Sequence, residues 1–135
     1  MGAIDYSPLG RAIERLKEGL ALLAGDPEND IYRDAVIHRF DMAFDKSIRT
    51  LQIHLSLTNP ETAITFKAFS QSAREKGLFR SASDAWLGFR DARAMSDQAY
   101  NDEIAHEIIE LIPLFSEEAD YLYSALQRRN VIGLE

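Results

Sequence analysis

The chain has 135 residues, 46% of them apolar and 27% charged, which is one domain with enough apolar material for a real core. It contains no cysteine, so disulfides and thiolate chemistry are excluded. Its net charge of −7 argues against nonspecific nucleic-acid binding by the protein as a whole. Arg74, Lys76, Arg80, Arg90 and Arg93 do gather in one third of the chain, leaving room for a local basic cleft.

The N-terminus, MGAIDYSPLG, lacks the basic-then-apolar order of a secretory signal and has Tyr6 where a myristoylation pattern needs Ser or Thr. No apolar run is long enough to cross a bilayer. The expected location is the cytoplasm, with no membrane partner. Leu134-Glu135 reads as a cloning scar.

The pattern is helical almost throughout. Leu9, Ile13, Leu16, Leu20 and Leu23 alternate steps of four and three and form one stripe. Ser7 is the expected N-cap, Pro8 the first helical residue and Gly25 the stop. A second helix is expected from Asp30 to about Leu57, with Ile37, Phe40, Phe44, Ile48, Leu51 and Leu55 inward. Thr58-Asn59-Pro60 ends it, because the residue before proline avoids helical geometry. A third helix, about Thr62 to Lys76, turns Phe66, Phe69 and Ala73 inward and stops at Gly77.

Ser83 caps a fourth helix to about Met95. The last helix is expected from about Asp102 to Arg129, with Ile104, Ile108, Leu111, Phe115, Leu122 and Leu126 on one side. Pro113 should kink it or leave a carbonyl near Ile109 unpaired. Residues 130–135 read as a tail. The expected architecture is all-α: an up-and-down four-helix-type bundle with one additional short helix. Long acidic helices with such stripes also suggest a homo-oligomer, a dimer or larger.

The segment from Trp86 to Asp102 carries the chemistry. Arg93 falls seven residues after Trp86, about two helical turns, and Phe89 sits about 60° away on the same side. A guanidinium is thus steered into an apolar stripe, where it needs an acid, a bound anion or an interface. Asp41 or Asp45, four apart on the second helix and sharing a face, is a candidate ion-pair partner for it, the alternative being a solvated helix edge. Gln98 and Tyr100 follow. Tyr100 is either an accessible phenol or a staple packed on Ile104, and Trp86 is a core residue rather than a stacking platform. Glu103 and His106 have the Glu-x-x-His spacing of di-iron bundles, but a single pair cannot build such a site. His38 and His54 lack a Glu three residues earlier, so no metal or cofactor is expected.

Two segments together resemble the HepT-like branch of the HEPN superfamily, also described as nucleotidyltransferase substrate-binding proteins. Phe40-Asp41, Phe44-Asp45 and Arg49 match its aromatic-acid pattern. Trp86, Arg93 and Tyr100, followed by Asn101-Asp102-Glu103, match its second motif. The resemblance spans residues 9–128. It implies a partner role beside a separately encoded minimal nucleotidyltransferase, in a toxin–antitoxin-like pair, with Arg93, Gln98, Tyr100, Asp41 and Asp45 at the site. It also implies Tyr100 as an acceptor of a nucleotidyl group.

Two departures bear on catalysis. The family's histidine position is Gln98 and the Asn after its arginine is Ala94. Glutamine cannot take and return a proton near neutral pH, so the resemblance argues against the superfamily's ribonuclease mechanism, in which Arg93 would be catalytic. RNA is a disfavoured partner; a HEPN-type ribonuclease toxin with altered catalytic residues and a purely structural helical module are the two alternatives.

Overall fold

The computed structural model describes residues 5–58, 65–80 and 83–133. They form α1 (Ser7–Gly25), α2 (Asp30–Thr58), α3 (Phe66–Glu75), α4 (Ser83–Met95), a single 3₁₀ turn (Ser96–Gln98) and α5 (Asp102–Gly133). No strand occurs among the described residues, and no helix there is long and apolar enough to cross a membrane.

Contacts fix the directions of the three long helices. Arg39 donates to the Arg15 carbonyl at 2.7 Å, and Val36 faces Gly19, so α1 and α2 run antiparallel. Gly10 lies against Tyr123, while Leu20 and Leu23 share a cleft with His106 and Ile109, so α1 and α5 are antiparallel as well. Arg33 reaches Asp102 and Phe40 packs on Phe115, so α5 runs alongside α2 in the same direction. α4 packs on α2 and α5, and the short α3 packs on α4.

Phe115 is the hub of the core. Its ring centroid lies 5.0 Å from Phe40, 5.2 Å from Phe89 and 5.8 Å from Trp86, all edge-on. Edge-to-face geometry sets the positive ring edge against a negative face. Trp86 also stacks on Phe79 at 4.2 Å and is fully buried, as a core residue should be. Its indole Nε1 has no hydrogen-bond partner.

The helix ends depart from expectation in instructive ways. Tyr6, not Ser7, is the N-cap of α1, and its side chain makes no cap bond. Asp5 instead accepts from the backbone N–H of Ser7 at 3.0 Å. Tyr6 is held elsewhere: its hydroxyl pairs with His54 Nδ1 at 2.7 Å, and burial pushes its pKa up to about 12. Thr65 caps α3, accepting from Ala68 N–H at 3.2 Å, so that helix begins after the expected Thr62; residues 59–64 lie outside the described residues.

Gly77 ends α3 at φ 75°, where a Cβ is strained. The expected cap at Ser83 depends on a side chain outside the described residues, as Leu134 and Glu135 are altogether.

α5 continues through Pro113, which is exposed, and on to Gly133, taking in part of the stretch read as a tail. Its buried stripe is Ala105, Ile108, Ile112, Phe115, Ala119, Leu122 and Leu126, in alternating steps of three and four. Ile104 and Leu111, expected inward, are only partly buried. The small residues Ala105 and Ala119 occupy the contact line and let the neighbouring helices approach.

Candidate functional site

Arg93 leaves the last turn of α4 and crosses to α2. Its Nε and Nη2 each donate to one oxygen of Asp45, both at 3.0 Å, a two-pronged pairing suited to the planar guanidinium. Nη1 donates to Ser96 Oγ at 3.1 Å and lies 3.6 Å from Asp41. The Ser96 hydroxyl in turn donates to the Arg93 carbonyl at 2.9 Å. One side chain therefore ties α2 to the residue that opens the 3₁₀ turn. The Asp45 hydrogen bonds raise the guanidinium pKa, with Asp41 assisting against the effect of burial.

The two acids differ. Asp45 has a side chain 56% exposed, whereas that of Asp41 is 19% exposed. Asp41 Oδ1 is buried with no hydrogen-bond partner. Burial raises the Asp41 pKa, and Ser96, Arg93 and the exposed His38 one turn earlier only partly oppose it. A carboxyl whose folded pKa exceeds its ordinary value of 3.8 adds stability at low pH and loses it as pH rises through the folded value. Asp41→Asn is therefore expected to raise the melting temperature at pH 7 relative to the parent chain, with the gain shrinking toward pH 3. Paired melts at the two pH values check it, and a gain that grows on acidification would contradict the assignment.

Gln98 closes the 3₁₀ turn and is exposed. Tyr100 is 86% exposed, so it does not staple onto Ile104. The cap of α5 is Asn101, whose Oδ1 accepts from Glu103 N–H at 2.9 Å and Ile104 N–H at 3.2 Å. The phenol is left projecting at the junction where a helix N-terminus, with its partial positive charge, begins. The structure thus joins Arg93 to Asp41 and Asp45 and leaves Gln98 and Tyr100 displayed at the surface.

His106 stands apart from that cluster, exposed on α5 with Nε2 3.0 Å from Glu110. Among the described residues no group of three or more His, Asp and Glu could hold a metal.

Two features escaped the sequence reading. Ser96 could have been found, because it lies three residues beyond Arg93. The other is Glu118, whose side chain is fully buried and accepts from Arg80 Nε at 3.0 Å.

The fold matches solved structures closely. A Haemophilus influenzae protein, described as the substrate-binding domain of a nucleotidyltransferase, superposes with a TM-score of 0.84 at 21% identity, over 91% of this chain and 99% of that one. A Thermus thermophilus protein superposes with a TM-score of 0.77 at 28% identity, over 87% of this chain and 98% of that one. No curated protein matches the sequence. Residues 4–128 match the family described as nucleotidyltransferase substrate binding protein like, and the chain belongs to that family.

Proposed function

We propose that this chain is the non-catalytic, substrate-binding or regulated partner of a separately encoded minimal nucleotidyltransferase, of the HepT-like, toxin–antitoxin type, and that Tyr100 accepts a nucleotidyl group. Family membership supports the partner role. The observation that carries the acceptor role is the exposure of Tyr100, 86%, on the short connection ahead of α5. A large aromatic there is displayed rather than packed. Its oxygen is free to attack the α-phosphorus of ATP. The bond to the bridging oxygen breaks, pyrophosphate leaves, and the phenolic proton passes to solvent or to a base on the partner.

Arg93, with Asp41 and Asp45 around it, supplies the local cation for the nucleotide phosphate, and Gln98 is an exposed polar contact on the turn that follows. Asp45 occupies two of its donors, so a phosphate reaches the guanidinium by exchange with that half-exposed carboxylate. Self-association is part of this reading. Met42 and Ile53 on α2 and Leu114 on α5 are large apolar side chains at 40–47% exposure, available for burial against another copy.

The test uses the nucleotidyltransferase encoded beside this chain, recognisable by a Gly-Ser followed by a spaced Asp-x-Asp. With that enzyme and ATP, mass spectrometry is expected to find one added AMP on the wild-type chain and none on Tyr100→Phe. An adduct that persists in Tyr100→Phe would end the acceptor assignment. A second reading, a structural interaction bundle, is favoured by one observation: Arg93 is already paired to Asp45, Asp41 and Ser96. It predicts that the two proteins copurify without any adduct.

A further inference from the structure

A cleft of about 640 Å³ opens between the end of α1, the start of α2 and the first half of α5. That volume lies in the range of small-molecule sites. Its walls are mainly apolar, from Leu20, Leu23, Ile109 and Pro113, while Glu28, Asp30 and Arg33 bring charge to it. None of its lining residues belongs to the Arg93 cluster.

The mouth carries an excess of negative charge. Arg33 is its one guanidinium, and three carboxylates surround it: Asp102 at 3.3 Å, Asp34 at 3.8 Å and Asp30 at 3.9 Å. Of these three only Asp30 lines the cleft, joined there by Glu28, so two carboxylates face one guanidinium on the lining. Across the cleft, His106 is already engaged by Glu110 at 3.0 Å. An anionic ligand entering here would meet more carboxylates than cations, and its burial would go uncompensated. A neutral apolar ligand would gain the walls but nothing from the mouth. A compact molecule with an apolar body and one ammonium head satisfies both.

We infer that this cleft binds a small apolar amine, its hydrocarbon part against Leu20, Leu23, Ile109 and Pro113 and its ammonium between Glu28 and Asp30. The carboxylates at the mouth are exposed, so their attraction is screened by salt, and the body supplies most of the affinity. The site is independent of the nucleotidyl-acceptor reading, because the chain alone is enough to reveal it.

The experiment is a titration of the ¹⁵N-labelled chain with 2-phenylethylamine, followed by amide shifts, with 3-phenylpropionate and 2-phenylethanol as anionic and neutral controls. The amine is expected to shift Leu20, Leu23, Ile109 and their neighbours in a saturable way. The alcohol should bind more weakly than the amine, and the propionate, which shares the body but carries the wrong charge, more weakly still. Glu28→Gln combined with Asp30→Asn should weaken amine binding roughly 2- to 5-fold, the effect of exposed charges, and raised salt should do the same.

Ala24 is exposed at the edge of the cleft, so Ala24→Trp should fold normally, fill the space and abolish the shifts. Equal binding of amine and propionate would overturn the inference. So would shifts confined to other residues, or amine binding unchanged in a folded Ala24→Trp chain.

Discussion

Replacing Phe115 by alanine is expected to remove about 3–5 kcal/mol of stability, the usual result of deleting a buried phenyl ring. Domains of this kind have about 5–15 kcal/mol in total, so the variant should sit near the edge of folding and melt roughly 10–20 °C lower. The position is severe because Phe115 is shared. It touches Phe40 and Phe44 from α2 and Trp86 and Phe89 from α4, so one deletion opens a cavity between three helices at once.

The surrounding rings cannot readily close that cavity, being locked to each other by edge contacts and by the Trp86–Phe79 stack. The control is Phe66→Ala. Phe66 is an aromatic of equal size, but only partly buried, under the Arg90 guanidinium 5.1 Å above its ring. That change should cost about 1–2 kcal/mol. Thermal melts followed by circular dichroism compare the two, and equal losses would show that the core is not centred on Phe115.

The all-α fold was legible because five amphipathic periods run between clear stop signals, and Gly77 is a stop for a reason visible in its left-handed backbone. The inward face of α5 was harder to read. Large apolar residues draw attention, so Ile104 and Leu111 were expected inward, while the buried line runs through Ala105, Ile108, Ile112 and Ala119. Alanine carries little hydrophobic signal, yet it marks where helices approach most closely.

Glu118 hid for the opposite reason. It stands three residues after Phe115 and four before Leu122, squarely on the stripe, and only its charge sets it apart from the apolar members. The structure supplies what spacing could not: Arg80, from the segment before α4, arrives as its partner. In the candidate site, periodicity brought Arg93 to the inner side of α4, and the four-residue spacing put Asp41 and Asp45 on one side of α2. Spacing could not say that Asp45 would take both prongs of the guanidinium while Asp41 kept a buried oxygen unpaired. That choice depends on how α2 and α4 are set against each other, which no single helix encodes.

Asp45→Asn is expected to destabilise the bundle while raising the rate at which Tyr100 is labelled, an opposition that separates the two roles open to Arg93. The Asp45 fork joins α2 to α4 at a partly exposed site, so losing it should cost about 1–2 kcal/mol, between the values for surface and buried pairs. The same change releases Nε and Nη2 from a carboxylate, and a nucleotide phosphate then competes only with Asp41, 3.6 Å from Nη1.

Arg93→Ala should lower labelling about 10²-fold, the scale for removing one preorganised donor from an oxyanion hole. Arg93→Lys should fall between, since an ammonium keeps the charge but not the planar fork. Were Arg93 only a strut fixing Ser96 and the 3₁₀ turn, every one of these substitutions would loosen the segment leading to Tyr100, and labelling would fall in step with melting temperature. The measurement is initial labelling rate against melting temperature for the three variants, taken well below their melting points. Asp45→Asn decides between the alternatives, because the anion-contact role sends its two readouts in opposite directions and the strut role sends them down together.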